Sequence, residues 1–255
     1  MGKVLGIVYR AIATHLIKKA EFTRKTAHTG AVTLIQCFGG SLNLDVDFHM
    51  LFLDGVYVEG RHGTLERFQW VKSPTGDELA RLTHTIARRA GRFLERQGLI
   101  ESDAETGTLV LDGVDDDSMA HLHGHSITYR IAMGPQTGRK VFTLQTLPAC
   151  DPNDPLVGKT AGFSLHAGVS AKARERDRLE RLCRYITRPA VSEKRLSLTA
   201  HGKVCYELKT PYRDGTTHII LEPLDFIAHL AVLVPKPRVN LARFHGVLAP
   251  NNRLR

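Results

Sequence analysis

Asp47, His49 and Tyr185 are the side chains in this sequence best suited to phosphodiester chemistry. The first two lie in "LNLDVDFHML" (42–51), where Leu42, Leu44, Val46, Phe48 and Met50 alternate with Asn43, Asp45, Asp47, His49 and Leu51. Alternate side chains of a strand project from one face. One face is therefore apolar, and the other carries an amide, two carboxylates and an imidazole. A carboxylate and an imidazole two residues apart can offer oxygen and nitrogen to one divalent cation, a ligand set suited to Mg²⁺ or Mn²⁺. Asp45 could add a third oxygen or support the first two ligands. Because the following Leu51-Phe52-Leu53 is apolar on both faces, the strand is expected away from a sheet edge. The competing reading is a polar face packed under a helix, and spacing alone favours it.

Tyr185 lies in "ARERDRLERLCRYITRP", with Arg181 one turn before it and Arg188 about one turn after. Residues at such spacing share a helix face. Guanidinium groups beside a tyrosine hydroxyl, with Arg184 adjacent, could hold phosphate oxygens and stabilise charge in a transition state. The plainer alternative is that Tyr185 joins Leu179, Leu182 and Ile186 in the core with the arginines solvated, and spacing alone favours it. Tyr206 and Tyr212 stand in reserve as nucleophiles. His121, His123 and His125 ("HLHGH") resemble a metal cluster, but Gly124 and the acidic flank point to an irregular exposed segment. The tail "VPKPRVNLARFHGVLAPNNRLR" interleaves Lys236, Arg238, Arg243, Arg253 and Arg255 with Phe244, basic groups for phosphates and an aromatic ring for a base.

The elements that must position these groups are legible in outline. Apolar residues at helical spacing predict a helix over 4–20. "GAVTLIQCF" (30–38), 42–53, "VYVEG" and "RFQWV" read as strands, with hairpin signals at Gly39-Gly40 and Asp54-Gly55. Thr75 to Glu78 has capping-box spacing ahead of a helix ending near Gly98. Residues 101–160 read as a variable insert with short strands. A strand at 163–171, a charged helix at 172–188 stopped by Pro189, a hairpin at 203–223 and a short helix at 224–234 follow. Strands and helices mixed in this way predict an α+β fold. A central antiparallel sheet would carry the metal-ligand strand and pack against helices that include the tyrosine helix. The whole of 1–255 is expected to be one domain.

The chain has 255 residues, 42% hydrophobic and 24% charged, with a formal charge of +9. That excess favours a polyanionic partner. No apolar run approaches the ~20 residues that span a bilayer. The four cysteines form no CxxC pair, which excludes a zinc ribbon and suits a reducing cytoplasm.

Four ordered stretches carry a resemblance: "HTGAVTLIQCFGGSLNLDVDFHMLFLDGVYV", "LCRYITRPAVSEKRL", "ELKTPYRDGTTHIILEPL" and "PKPRVNLARFHGVLAPN". Together they resemble rolling-circle transposases of bacterial insertion sequences, a group within the HUH superfamily of single-strand endonucleases. The likeness covers most of the chain and is weakest at 101–160. It implies a metal-binding His-hydrophobic-His strand, here Asp47-Phe48-His49, so the first histidine is replaced. It implies a helical tyrosine nucleophile, matching Tyr185. The second tyrosine of some members falls at Arg181, which makes this a one-tyrosine type. By resemblance the cofactor is Mg²⁺ or Mn²⁺. The partners are single-stranded DNA at element ends and target DNA, with no membrane, and the setting is the bacterial cytoplasm at the nucleoid. Arg181, Arg184, Arg188, Arg238 and Arg243 would hold DNA phosphates. Relatives begin with a cysteine-rich zinc module, and nothing like it precedes Gly2, so both ends are expected to be truncated. Two alternatives remain open. One is a single-stranded DNA-binding remnant with impaired catalysis. The other is an unrelated metal-dependent hydrolase built on the 121–125 histidines.

Overall fold

In a computed structural model of the chain, residues 1–60, 65–102, 107–109, 118–145, 157–160, 163–189, 191–212, 214–235 and 237–252 are described. The first helix, α1 (Gly2–Lys19), buries Leu5, Ile7, Val8, Ala11, Ala13 and Ile17 on more than one side, with Val8 and Ala11 in one core cluster and Ile17 in another. Five strands follow: β1 (Ala27–His28), β2 (Gly30–Phe38), β3 (Leu44–Phe52), β4 (Gly55–Glu59) and β5 (Leu65–Trp70). Helix α2 (Gly76–Arg96) starts at a complete capping box. Thr75 Oγ1 accepts from the Glu78 backbone N–H at 3.3 Å, and Glu78 accepts from the Thr75 N–H at 2.8 Å. Such a cap stabilises a helix start by about 1 kcal/mol.

A short hairpin, a helix and one further strand occupy the middle of the chain. They are β6 (Ile100–Ser102), β7 (Gly107–Leu109), α3 (Ser118–Ile127) and β8 (Phe142–Gln145). The remaining elements are β9 (Val157–Thr160), β10 (Phe163–His166), α4 (Arg176–Ile186), β11 (Leu196–Leu198), β12 (Val204–Glu207), β13 (Thr216–Leu221), α5 (Pro223–Leu233) and β14 (Ala242–Gly246). Every strand pairing among the described residues is antiparallel, and the fold is α+β. Among those residues no helix is long and apolar enough to cross a membrane.

Two layers matter for the site. A three-stranded sheet in the order β14-β2-β3 packs one face on α1 and α2. There Phe48 and Met50 of β3 meet Val8, Ala11, Leu82 and Ile86. Each fully buried Val, Leu or Ile contributes roughly 1.5–3 kcal/mol. A second core lies against the four-stranded sheet β11-β12-β13-β8, where Tyr206, Leu208, Ile219 and Leu221 enclose Leu42. Leu42 takes a left-handed backbone (φ 61°), and its carbonyl accepts a 3.0 Å hydrogen bond from Nδ1 of buried His229. Asp225, also buried, accepts from the Ala132 N–H at 2.8 Å. These contacts fix the chain just before it enters β3.

Three expectations need correction. Strand β3 lies at the edge of its sheet, because its outer neighbour in sequence, β4, pairs instead with β1 and β5. The 121–125 histidines lie on helix α3 rather than in an irregular segment, since Gly124 is tolerated inside a short helix. The basic tail contains β14, which completes the sheet on the far side of β2. Its five residues were hidden between proline- and arginine-rich flanks.

Candidate active site

Residues facing each other across an antiparallel pair share a sheet face. Phe48, Met50 and Phe52 point to the helices, as do their partners Ile35, Thr33 and Ala31. Asp47 and His49 therefore point away, with Gln36 and Leu34 opposite them. The next strand over contributes Ala242 and Phe244 to that same outer face. Asp45 does not extend the row. The register slips between Gln36 and Phe38, setting an extra β3 residue opposite Cys37, and Asp45, Val46 and Asp47 are all exposed there. Such a bulge breaks the strict alternation.

His49 is held by Gln36. The Gln36 amide nitrogen donates to the Phe38 carbonyl at 2.8 Å, which turns Gln36 Oε1 toward His49 Nε2, 3.2 Å away. In that contact Nε2 is the donor, since the amide oxygen can only accept. Asp47 stands two residues along. Partial desolvation and the neighbouring Asp45 carboxylate push its carboxyl above the usual value, with His49 opposing them. An imidazole nitrogen, a carboxylate and a nearby amide oxygen on one exposed face fit a hard divalent ion. Among the described residues no three His, Cys, Asp or Glu side chains gather for a metal, on this face or on any other, so Asp47 and His49 supply two such ligands and no third. The His121 and His125 rings lie one turn apart on α3, with centroids 4.3 Å apart and planes tilted at 54°.

Helix α4 brings Tyr185 to this face. None of its side chains is buried, and the Tyr185 ring is 47% exposed, so the plain core reading fails. The ring stands edge-on to His49, with centroids 6.5 Å apart and planes at 83°. The helix stops at Thr187, whose hydroxyl and N–H both bond the Cys183 carbonyl at 3.0 Å. The chain then turns back, and the Arg188 guanidinium lies 4.3 Å from the Tyr185 ring centre. Lys209 closes the site from another element, its Nζ 4.6 Å from the same ring. Arg181 is exposed on the preceding turn, and Arg184 is engaged at 2.7 Å with Glu180 in an exposed pair. Pairs of that kind contribute at most about 1 kcal/mol.

Sequence reasoning missed Lys209. It sits at the start of a turn that the Tyr212 hydroxyl ties to the Ser41 hydroxyl, and Tyr129 donates to or accepts from Tyr212 at 3.0 Å. The turn carrying Lys209 is thus fastened to the loop that feeds β3. The signal available was its place in "ELKTPYRDGTTHIILEPL". The reserve tyrosines have other employment: Tyr206 is fully buried, which raises its hydroxyl pKa, and Tyr212 belongs to this hydroxyl network. In the tail, Arg238 occupies an exposed left-handed turn (φ 64°). Arg243 aligns with Thr33 and Met50 on the helix-facing side, so it does not share the Tyr185 face with Phe244. Phe244 is 50% exposed on that face. Lys236, Arg253 and Arg255 lie outside the described residues.

A family model described as "putative transposase" matches residues 30–254, a span that includes β3, α4, the Lys209 turn and β14. The chain belongs to this transposase family. Comparison with curated proteins and with solved structures returns no match. The transposase therefore acts on DNA, and the net charge of +9 suits that partner.

Proposed function

We propose that this transposase cleaves and transfers single-stranded DNA through a covalent bond to Tyr185, in the manner of one-tyrosine HUH enzymes. The observation that carries the reading is the meeting of Tyr185 and His49 across two distant elements, on the exposed face of the β3 sheet. Tyr185 Oη would attack the scissile phosphorus and lose its proton to solvent. The bond from phosphorus to the 3′ oxygen would break, and that oxygen would leave as a 3′-hydroxyl. The product is a 5′-phosphotyrosine, whose bond energy can be reused when a new 3′-hydroxyl attacks.

Asp47 and His49 would hold Mg²⁺ or Mn²⁺, with Gln36 fixing the imidazole. A divalent ion there supplies Lewis-acid polarisation of the phosphate. Arg188 and Lys209 frame the nucleophile and would offer positive charge to the phosphate oxygens. Arg181 and Arg184 lie outward along α4, where the flanking strand would pass. Phe244, about 12 Å from His49 by strand spacing and rise, would stack on a base of the bound strand.

The test is incubation of the protein with an end-labelled single-stranded oligonucleotide and a divalent ion, resolved on a denaturing gel. A slower band that requires the ion and vanishes in Tyr185→Phe supports cleavage. Retention of DNA in a native gel without any adduct would favour the second reading, a DNA-binding remnant. That alternative draws on Asp47 standing where the resemblance expects histidine.

A further inference from the structure

We propose that the groove between α1 and α2 is a second DNA-backbone site, separate from the Tyr185 face. It is an open groove of about 470 Å³, walled by Thr14 and Lys18 on α1 and by Arg81, Thr85 and Arg89 on α2. Leu82 and His15 also line it, and among the described residues it holds no Phe, Tyr or Trp.

Two observations point to phosphate as the ligand. First, the charge is one-sided. Glu78 is the lone carboxylate in the walls, and Lys19 already neutralises it at 2.6 Å. Lys18, Arg81 and Arg89 have no carboxylate partner among the described residues. Second, the cations are in line. Arg81 and Arg89 lie eight residues apart and span about 12 Å along one face of α2, with Thr85 between them donating its hydroxyl proton to the Arg81 carbonyl at 2.8 Å. At about 3.4 Å per phosphate along one strand, that is room for roughly three phosphates. With no Phe, Tyr or Trp in its lining, this surface lacks the platform of a base-stacking site and is suited to holding a backbone.

The groove is not an extension of the cleavage site. Phe48 and Met50 place the sheet between α1/α2 and the face bearing His49 and Tyr185. A strand gripped here would be held some distance from its reacting phosphate. Helix α1 also precedes residue 30, where the family match begins, so half of the groove lies outside the matched segment. The inference rests on DNA being this family's partner and not on Tyr185 chemistry.

The experiment measures DNA affinity against salt in a Tyr185→Phe background, with a random-sequence 25-nucleotide single strand in one arm and its duplex in the other. Lys18→Ala/Arg81→Ala/Arg89→Ala is compared with a charge-matched Arg139→Ala/Lys140→Ala/Lys194→Ala variant, whose exposed cations do not line the groove. The groove variant should lower the salt slope by about 2 for the single strand, or by about 2.7 for the duplex. The arm that changes identifies the form of DNA bound. Arg81→Lys/Arg89→Lys should keep the slope, and Thr85→Glu should lower affinity without removing a cation. Equal losses in the groove and control variants, or no change in either arm, would overturn the proposal. If the parent protein never forms an adduct while the groove variant still loses slope, the cleavage reading fails and this one stands.

Discussion

Lys209 offers the sharpest test of how the nucleophile is held. Its ammonium lies 4.6 Å from the Tyr185 ring centre, and Arg188 lies 4.3 Å from it. Helix α4 buries no side chain, so these two cations and the edge contact with His49 are the main constraints on the ring. A cation over a half-exposed aromatic ring contributes about 0.5–1 kcal/mol. If that energy orients the hydroxyl for attack, losing one cation should slow the chemical step roughly two- to fivefold. Lys209→Met removes the charge and keeps an apolar stem, and Arg188→Gln does the same for its partner. The double variant should lose less than the roughly four- to twenty-five-fold of strict additivity, because both cations share one ring. The assay is the single-turnover rate of adduct formation at saturating single-stranded DNA, with affinity measured separately by anisotropy. An unchanged rate in the double variant, with only affinity reduced, would refute a positioning role and leave both residues as ordinary phosphate contacts.

Other expectations follow from single contacts. Asp47→His should keep or raise ion-dependent cleavage, measured as adduct yield against Mn²⁺ concentration; complete inactivation would mean that the carboxylate has a task of its own. Phe244→Ala should cost roughly 1–3 kcal/mol of single-strand affinity and leave duplex affinity unchanged. Equal losses for both would rule out stacking. The Lys19 and Thr75 hydrogen bonds hold the Glu78 carboxyl down to about 2, against an ordinary 4.5. A depressed carboxyl contributes stability that is complete above its unfolded pKa and lost as pH falls through the folded one. Glu78→Gln should therefore lower the Tm at pH 7 by the equivalent of about 1 kcal/mol, and the gap to the parent should close between pH 4.5 and 2. A gap that stays constant down to pH 2 would show that Glu78 acts through packing alone.

Much of this arrangement could be read from the sequence where local signals agree with the fold. The 30–38 strand was legible to the residue because β-branched and apolar residues fill it between glycines, and the Thr75 box announced α2. The pairing of His49 with Tyr185 was legible through the order of four motifs, not through spacing, which favoured bland readings for both residues. What stayed hidden depends on tertiary partners. The edge position of β3 follows from β4 choosing another sheet, and the bulge beside Cys37 that exposes Asp45 is invisible in an alternating pattern. Arg243 and Phe244 looked like one basic-aromatic patch until pairing with β2 sent them to opposite faces. Lys209 entered the site only because the Tyr212 and Ser41 hydroxyls tie its turn to the start of β3.

The most direct measurement is to locate the covalent bond. The protein is reacted with a single-stranded oligonucleotide and Mn²⁺, the DNA is trimmed with nuclease, and the product is digested with trypsin for mass spectrometry. The expected result is a nucleotide mass on the peptide spanning residues 185–194, attached through Tyr185 and a 5′-phosphate, with a free 3′-hydroxyl on the released DNA. A nucleotide on another peptide, or a link through a 3′-phosphate, would contradict the assignment of Tyr185 and His49 as the two sides of one cleavage site.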